Sequence, residues 1–483
     1  MELDSRAYLI QLGPAKCAVD LGDGSERGEY VNQDYILNKL GRPHRAVNLM
    51  YCYYPLDKGF PERASRAFSG EGITFQWDYP YDDYFTYKGG LEGNTEGEPF
   101  TCMRDVRRHG QDVILTLTID PNVSDEQLIA IARDLRPYGR MQLRINHEAT
   151  GDWFSFNKRC TYQEVADFYV HFHRIIKEYA PNVKTILCIG GIEDLESREM
   201  IKEAEFTEAV RETDIWSVDK YMALHWGWPY DVAEKGGSSH HRKSVTEIYE
   251  MTKRSYERFK ELCDGTEKPM VMSELNADGD VTGPFDQAEM VKDFCDIIKN
   301  EPATWLTGLT FYQFRDRGRL GLEIEDPNNP EVGIEQPVLA TYKRIIHDDY
   351  FYPAVTAGKE AVLPVILRWG GSEDATGLAI PLYFERSPVF CEVIFEEPCN
   401  LIMELNGRWF YKSPNAKTID LMSAFYEKPL QGAMELTLKL FAPPASGEND
   451  PSQGADWVKN YYTTLTKLPS IRIRFEPIAE KIV

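Results

Sequence analysis

The sequence predicts a (β/α)8 barrel followed by an antiparallel β-sandwich. Apolar, β-rich runs alternate with amphipathic stretches through the first 350 residues, and this alternation stops near residue 353. The chain has 483 residues, too many for one compact core and enough for two or three domains, and its 42% of hydrophobic residues predicts a globular fold with a large buried core. We therefore predict a barrel domain over residues 1–352 and a β-sandwich accessory domain over residues 353–483.

Eight strands are predicted in the first domain. They cover residues 46–54, 72–77, 113–119, 142–147, 184–190, 215–219, 269–274 and 307–314. Helical patterns separate most of them. One follows the third strand with Ser124 as its N-cap, and another follows the fourth with Thr161 and Glu164 as a capping box. The alternation suits a closed barrel and also an open doubly wound sheet, because a strand count does not distinguish the two.

The region after residue 353 contains further strand-like runs separated by turn residues, and its sequence shows no long helical pattern. This texture predicts an antiparallel β-sandwich of roughly 130 residues. A sheet domain of this kind either binds carbohydrate or packs on the barrel, and we expect the second.

The charge balance argues against two classes of partner. The chain carries 54 Lys and Arg against 77 Asp and Glu, a formal charge of −23, whereas nucleic acids and anionic membranes attract basic surfaces. The sequence contains no apolar run of bilayer length, and its first residues lack the pattern of a signal peptide. We expect a cytoplasmic protein, or a secreted one supplied without its signal. The sequence makes no prediction of the oligomeric state.

The cysteines and the absence of certain sequence motifs argue against several classes of site and reaction. The nine cysteines are scattered and odd in number, which disfavours a disulfide framework and a cysteine-bound zinc site. The sequence has no Walker loop, no Rossmann glycine fingerprint and no GxSxG elbow. Nucleotide-dependent and serine-hydrolase chemistry therefore has no support.

The fourth predicted strand ends in the segment RINHEATGDWFSF, residues 144–156. Since C-terminal strand ends form the active-site face of a barrel, we expect Glu148 at the mouth with Trp153 and Phe154 above it. A carboxyl beside aromatic rings is partly desolvated, which favours its neutral form and suits a general acid. Outside catalysis, a glutamate at a strand end caps a helix or forms a salt bridge.

The seventh predicted strand ends at Glu274, within KPMVMSELNADG at residues 268–279. Hydrolysis of a glycoside with retention requires two carboxyls about 5–5.5 Å apart across the sugar. Glutamates that end strands four and seven of one barrel can meet this requirement. The pair predicts a retaining glycoside hydrolase with Glu148 as its general acid, a mechanism that requires neither metal nor cofactor.

The segment 144–154 resembles the acid/base motif of glycoside hydrolase family 26, which reads Arg-x-x-His-Glu-x-Asn-Gly-x-Trp-Phe or close to it. Residues 269–274 resemble the nucleophile strand of that family. The resemblance extends from about residue 46 to 320 and implies a clan A barrel enzyme of β-mannanase-like type. It also implies the roles of acid/base for Glu148 and nucleophile for Glu274.

The chain departs from the family pattern at two places. Thr150 replaces the usual Asn, and the eighth strand lacks the tryptophan that forms the floor beneath the reactive sugar. We expect Phe311, Tyr312 or Gln313 to take that place. These departures favour the clan over the family and leave the β-linked substrate open among mannan, glucan and xylan.

Several other residues are predicted to bind substrate or to hold the nucleophile. Arg144 either holds the ionised nucleophile by a charge-assisted bond or forms a structural ion pair. His147 either hydrogen-bonds within the site or is a core histidine, and the family resemblance favours the first. In similar enzymes a tyrosine at the end of strand six bonds the nucleophile, which implies that role for Tyr221.

Aromatic residues on the loops are candidates for sugar platforms, because the apolar face of a pyranose stacks on a flat ring. Trp77 ends the second predicted strand, Trp153 follows the fourth, and His225 and Trp226 follow the sixth. The alternative for each is simple loop packing.

Two other classes of function stay open. A carbohydrate-binding barrel without turnover fits the altered motif and the altered eighth strand. A metal-dependent barrel enzyme could use Glu148, Asp219 and Glu274 as ligands, although we expect no metal.

Overall fold

The computed structural model of the protein describes most of the chain. The described residues are 6–12, 15–23, 30–57, 85–91, 93–151, 154–200, 203–225, 240–301, 304–316, 318–329, 331–352, 355–368, 376–442 and 462–476.

The strands that the structure describes before residue 352 are β1 (Tyr8–Leu12), β2 (Ala18–Gly22), β3 (Ala46–Tyr53), β4 (Phe85–Thr86), β5 (Asp112–Ile119), β6 (Met141–Ile145), β7 (Val183–Cys188), β8 (Ile215–His225), β9 (His240–Arg242), β10 (Met270–Ala277), β11 (Leu306–Phe311), β12 (Arg315–Asp316), β13 (Glu323–Glu325) and β14 (Gly333–Glu335). Eight of these form a closed parallel barrel in the order β2, β3, β5, β6, β7, β8, β10 and β11, and β11 pairs with β2 to complete the circle. Closure confirms the barrel and excludes the open sheet.

The first barrel strand, β2, differs from the prediction. Asp20 lies in the middle of this five-residue strand, where it accepts hydrogen bonds from Arg45 Nε at 3.0 Å and Ala46 N at 3.1 Å. A buried carboxylate interrupts the apolar run, so the sequence pattern does not reveal the strand. The predicted strand 72–77 lies outside the described residues.

Helices surround the barrel. They are α1 (Gln33–Leu40), α2 (Phe100–Arg108), α3 (Asp125–Leu135), α4 (Ser155–Arg159), α5 (Tyr162–Tyr179), α6 (Leu195–Met200), α7 (Glu203–Glu212), α8 (Val245–Leu262), α9 (Gly279–Thr282), α10 (Pro284–Asn300) and α11 (Val338–Ile346), with a 3-10 turn at Arg136–Tyr138. Both predicted caps are confirmed. Ser124 is the N-cap of α3, and Thr161 caps α5 while Glu164 Oε2 accepts from Thr161 N at 2.7 Å.

The barrel interior changes from apolar to polar along its axis. Near the N-terminal strand ends, an apolar plug is formed by Ala46, Ile114, Ile186, Ile215 and Val271. Side chains on a strand face the same side at every second residue. Two residues further along these same strands, the inward positions carry Asn48, Thr116, Cys188, Ser217 and Ser273, all buried. The barrel interior is therefore polar in the layer of side chains next to the mouth.

The chain after residue 352 forms antiparallel sheets. Its described elements are β15 (Val355–Glu360), β16 (Val365–Arg368), β17 (Thr376–Phe384), β18 (Phe390–Ile394), β19 (Leu401–Leu405), β20 (Arg408–Lys412), β21 (Thr418–Asp420), α12 (Ser423–Tyr426), β22 (Met434–Phe441), β23 (Tyr462–Leu465) and β24 (Ser470–Arg474). A six-stranded sheet, β15-β1-β17-β22-β19-β20, shares one apolar core with the smaller sheets β21-β18-β24 and β16-β23. This arrangement confirms the sandwich.

Strand β1 belongs to this sandwich although it precedes the barrel in the chain. It pairs with β15 on one side and with β17 on the other. The sequence boundary at residue 352 assigns these residues to the barrel. The division of the chain into two domains stays a prediction, and the sheet pairing places Tyr8–Leu12 with the second one.

The sandwich contacts the barrel at the N-terminal ends of the strands. Trp409 N, in β20, donates to Gly41 O at 2.8 Å, and Tyr352 Oη, at the junction just before β15, donates to Pro43 O at 2.7 Å. The guanidinium of Arg42 lies 3.1 Å from the centre of the Tyr352 ring. Because residues 41–43 immediately precede β3, these contacts lie on the face opposite the mouth.

Candidate active site

Glu274 lies inside the barrel mouth because strand β10 is irregular there. The pairing of β10 with β8 shifts register between Met272 and Glu274. A bulge of this kind re-aims a side chain, so Ser273 and Glu274 both reach the interior although they are consecutive. Ser273 bonds Ser217, and Glu274, only 6% exposed, bonds groups across the mouth.

Two donors hold the two oxygens of Glu274. Arg144 Nη2 donates to Oε1 at 2.7 Å, and Tyr221 Oη donates to Oε2 at 2.6 Å. The two donors compensate the charge of the carboxylate and fix the plane of the group. The structure thus brings together three residues that the sequence analysis names separately.

Arg144 is completely buried and joins two carboxylates. Besides Glu274, its Nη1 donates to both oxygens of Asp219, at 3.2 and 3.1 Å. Burial opposes the charge of the guanidinium, but the carboxylates of Asp219 and Glu274 raise the pKa of Arg144 above its usual value. The arginine therefore stays charged, and it bonds Glu274 while it also forms a buried ion pair with Asp219.

Glu148 follows strand β6 in a tight left-handed turn. Asn146 and Glu148 have φ values of 44° and 52°. The amide side chain of Asn146 stabilises this turn, since its Oδ1 accepts from Ile119 N at 2.6 Å and its Nδ2 donates to Ile119 O at 3.2 Å. Glu148 itself is half-buried, and the turn lies at the mouth of the barrel.

The charges of both glutamates act on the residues between them. Burial raises the pKa of Tyr221 well above its usual value, and the charges of Glu274, Asp219 and Glu148 raise it further. Burial also raises the pKa of Asp219, with the charges of Glu274 and Glu148 adding to the effect. Glu148 and Glu274 therefore border one electrostatic environment.

His147 lies between the nucleophile candidate and an aromatic wall. Its Nε2 is 3.9 Å from Glu274 Oε1, and its ring centre is 4.6 Å from that of Phe154. Burial, together with the charge of Arg144, lowers the pKa of His147 well below its usual value. The imidazole is neutral at pH 7, so it approaches the carboxylate as a polar group without a charge.

Tyr312 occupies the end of the eighth strand at the mouth. Its ring meets that of Tyr221 edge to face, with centres 6.1 Å apart. Of the three expected candidates for the floor, Phe311 instead packs against Tyr342 at 4.8 Å, and the amide of Gln313 donates to Asp316 at 3.3 Å. Only Tyr312 of these three touches a residue that holds Glu274.

The departure from the family motif at Thr150 has a structural role. Its hydroxyl donates to Gly190 O at 3.1 Å and accepts from Gly190 N at 3.0 Å. These bonds join the loop after β6 to the end of β7, so a threonine at this position supports the loop that carries Glu148.

Several predicted residues cannot be placed. Trp77, Trp153 and Trp226 lie outside the described residues. His225 is the last residue of β8, and its side chain is not described. In the described part of the chain, no cluster of three or more possible metal ligands occurs, and no helix is long and apolar enough to cross a membrane.

Two residues of the network were not found by sequence reasoning. Thr116 Oγ1 accepts from Arg144 Nε at 2.8 Å and donates to Asn48 Oδ1 at 2.8 Å. The available signal is a polar residue at an inward position of an otherwise apolar strand. That signal becomes readable only when the inward face is known.

No protein-family model and no curated protein matches the sequence. Solved structures do match it. A family 51 α-L-arabinofuranosidase from Bifidobacterium longum is 9% identical over 90% of this chain and 98% of that chain, with a TM-score of 0.42. A monomeric β-xylosidase from Caulobacter crescentus CB15 is 11% identical over 89% and 98%, with a TM-score of 0.44.

A GH26 β-mannanase from Bacteroides ovatus is 11% identical over 69% of this chain and 89% of that chain, with a TM-score of 0.41. All three TM-scores are below 0.5, so these likenesses carry no argument about the site.

Proposed function

We propose that this protein is a retaining glycoside hydrolase in which Glu274 is the nucleophile and Glu148 the acid/base. The observation that carries the proposal is the pair of donors on Glu274. Arg144 and Tyr221 hold both of its oxygens in the mouth of the barrel, while Glu148 lies at the same mouth on a half-buried turn. A carboxylate that two donors hold in one orientation suits attack, and a second carboxyl at the same mouth suits proton transfer.

The reaction proceeds by double displacement. In the first step, Glu274 attacks the anomeric carbon, the glycosidic bond breaks, and the proton of Glu148 passes to the leaving oxygen. In the second step, ionised Glu148 takes a proton from water, and the water oxygen displaces Glu274 from the anomeric carbon. Two inversions give net retention.

The environment of Glu274 favours this chemistry over a metal centre. The guanidinium of Arg144 lies between the carboxylates of Asp219 and Glu274 and bonds both. A divalent cation bound to these same oxygens would face that positive charge at close range. The site therefore fits the glycosidase reading better than a metal-dependent one.

The substrate proposed is a β-linked poly- or oligosaccharide of mannan, glucan or xylan type. This class rests on the motif resemblance, and the departures at Thr150 and on strand eight keep the particular sugar open. His147, Gln313 and Tyr312 border the mouth, and Trp77, Trp153, His225 and Trp226 remain predicted contacts on the loops.

Loss of the nucleophile tests the proposal. On the polysaccharide or aryl glycoside that the wild-type protein hydrolyses, Glu274→Ala should abolish turnover. Azide should restore it and give a glycosyl azide of inverted configuration, because the small anion fills the space of the lost carboxylate. Product configuration by NMR is the measurement. Substantial hydrolysis by Glu274→Ala without azide would contradict the assignment.

A matched control is Glu404→Ala. Glu404 is as buried as Glu274, at 6% exposure, and is paired with Lys439 in the sandwich. This variant should lose stability and keep kcat, which separates removal of a buried carboxylate from removal of the nucleophile.

The acid role of Glu148 is tested with leaving groups. Glu148→Gln should slow glycosylation by natural substrates far more than by dinitrophenyl glycosides, because dinitrophenolate departs without a proton. Equal losses on both substrates would remove Glu148 from the acid role. If the wild-type protein binds glycans but hydrolyses none of a broad panel, the carbohydrate-binding alternative is the correct one.

A further inference from the structure

A chain of hydrogen bonds runs through the barrel interior to the guanidinium of Arg144. Arg144 Nε donates to Thr116 Oγ1 at 2.8 Å, and the Thr116 hydroxyl donates to Asn48 Oδ1 at 2.8 Å. The three residues lie on the neighbouring strands β6, β5 and β3, and all are buried. The chain therefore connects one side of the barrel to the group that holds Glu274.

Chemistry determines the direction of the bond between Arg144 and Thr116. A guanidinium can only donate, so the oxygen of Thr116 must accept from Arg144. The single hydroxyl hydrogen of Thr116 is then available to Asn48, which must present its carbonyl oxygen. If Asn48 turned its amide so that Nδ2 faced Thr116, the hydroxyl hydrogen of Thr116 would lose this acceptor.

Arg144 borders a small cavity inside the barrel, which is also lined by Asn48, Ser273 and Thr310, among others. A buried group that borders a cavity lacks van der Waals partners on that side. On that side its orientation depends more on its hydrogen bonds, and Nε donates to a neutral hydroxyl whereas Nη1 and Nη2 donate to carboxylates.

We propose that Thr116 and Asn48 are positioning residues for the nucleophile. Their hydrogen bonds fix the plane of the Arg144 guanidinium, and that plane determines where Nη2 meets Glu274. The inference rests on the proposed function, since it assigns these residues a role through Glu274. Neither residue touches substrate.

The first test requires no substrate. In 15N-arginine-labelled protein, the Nε–H of Arg144, assigned by its loss in Arg144→Lys, should exchange slowly with solvent. Thr116→Val keeps the shape of the side chain and removes the acceptor, so we expect exchange at least about tenfold faster, as loss of roughly 1.4 kcal/mol gives. Thr116→Ser should retain slow exchange.

The matched control is Thr118→Val. Thr118 lies two residues further along β5 and is as fully buried as Thr116, but no partner of its hydroxyl is found in the described part of the chain. This variant should leave the Arg144 signal unchanged. Unaltered exchange in Thr116→Val, or equal acceleration in Thr118→Val, overturns the proposal.

The second test is kinetic. On the aryl glycoside that the wild-type protein hydrolyses, Thr116→Val should lower kcat about tenfold, the effect of one lost bond to a charged group, while KM stays within about twofold. Thr116→Ser should restore kcat and Thr118→Val should keep it. A loss that appears mainly in KM, or that serine does not rescue, contradicts positioning.

Should Thr116→Val not fold, Asn48→Ala takes its place, with the same readouts and a smaller loss in the same direction expected. Failure of the two proposals can be distinguished. If the wild-type protein hydrolyses nothing, the proposed function fails, while proton exchange still decides whether Thr116 fixes Arg144.

Discussion

Tyr221 contacts Glu274 through a single short hydrogen bond, and the remainder of its ring meets only Tyr312 among the aromatic neighbours of the described residues. The tyrosine therefore contributes one hydrogen bond to a charged acceptor. Such bonds contribute about 1.5–3 kcal/mol. A substitution that removes only the hydroxyl oxygen can therefore measure the effect of this bond on the reaction.

The first prediction concerns that donor. Tyr221→Phe should lower kcat/KM by about 10- to 100-fold, because loss of 1.5–3 kcal/mol corresponds to one to two decades. Steady-state kinetics on the hydrolysed glycoside is the measurement. Tyr169→Phe is the control, since Tyr169 Oη bonds Thr213 Oγ1 at 2.6 Å outside the barrel, and its loss should leave kcat/KM unchanged. Similar losses in both variants would refute a specific role.

A second prediction concerns His44, at the foot of strand β3. Its Nε2 is 2.7 Å from Tyr342 Oη, and burial lowers the pKa of His44 to about 3. In the unfolded chain a histidine has a pKa of ~6.5, so below that pH the unfolded state binds a proton that the buried His44 of the folded state does not bind. The contribution of His44 to stability is therefore complete above pH ~6.5 and is lost as the pH falls towards 3.

Between pH 7 and pH 5 this single group should lower the free energy of unfolding by about 2 kcal/mol. Urea denaturation at the two pH values measures the loss, and His44→Gln should show a loss smaller by that amount. An identical pH dependence in the two proteins would show that His44 titrates normally when folded.

At the scale of elements, irregular backbone places both glutamates. A register shift in β10 turns Glu274 inward, and left-handed residues after β6 carry Glu148 to the mouth. The left-handed conformation costs a residue with a Cβ roughly 1–2 kcal/mol, which asparagine offsets by local hydrogen bonds. Asn146 provides such bonds to the neighbouring strand β5.

We predict that Asn146→Ala both destabilises the protein and impairs the reaction. Loss of the amide bonds and left-handed strain should together lower the free energy of unfolding by roughly 2–4 kcal/mol. Displacement of Glu148 by even a fraction of an ångström should lower kcat more than about tenfold. Denaturation and kinetics on the same preparation provide both values.

Asn406→Ala is the matched control for this prediction. Asn406 is also left-handed, with φ 55°, and its amide donates to Ala424 O at 2.8 Å and Lys428 O at 3.0 Å in the sandwich. It should lose stability and retain kcat. If Asn146→Ala also retains kcat, the turn is not what positions Glu148.

At the scale of the whole molecule, the sandwich and the mouth lie at opposite ends of the barrel. Arg42 stands in the interface, 3.1 Å from the ring centre of Tyr352 and 5.9 Å from that of Trp409. Strand β1 adds a covalent connection, since the chain passes through the sandwich before it enters the barrel. The sandwich therefore packs against the end of the barrel opposite the mouth.

This arrangement predicts that Arg42→Ala lowers stability without affecting the reaction. Loss of the cation–π contacts should reduce the free energy of unfolding by roughly 1–2 kcal/mol, with kcat unchanged. Calorimetry and kinetics are the measurements. Arg474→Ala, which removes a contact with Phe390 within the sandwich, should cost less because that pair is more exposed. A fall in kcat in Arg42→Ala would show that the interface communicates with the mouth.

The sequence by itself determined the features that depend on local pattern. Short apolar, β-rich runs identified seven of the eight barrel strands, and hydroxyl and acidic residues identified the caps of α3 and α5. The two glutamates were named as predicted strand ends, whereas Glu274 lies within β10 (Met270–Ala277) and Glu148 three residues after β6, so their pairing remains a prediction. These signals are readable because each depends on residues within one turn or one strand of each other.

The tertiary structure alone decided which residues meet. Arg144 and Glu274 are 130 positions apart, and their contact depends on the closure of the barrel and on the register of strands that are not neighbours. The same closure places the ring of Tyr312 beside that of Tyr221 and joins Thr116 and Asn48 to Arg144. It also buries Asp20, the charged residue that makes β2 unrecognisable as an apolar run in the sequence. Local periodicity carries no information about partners across a barrel, because those contacts arise only when every strand has taken its place.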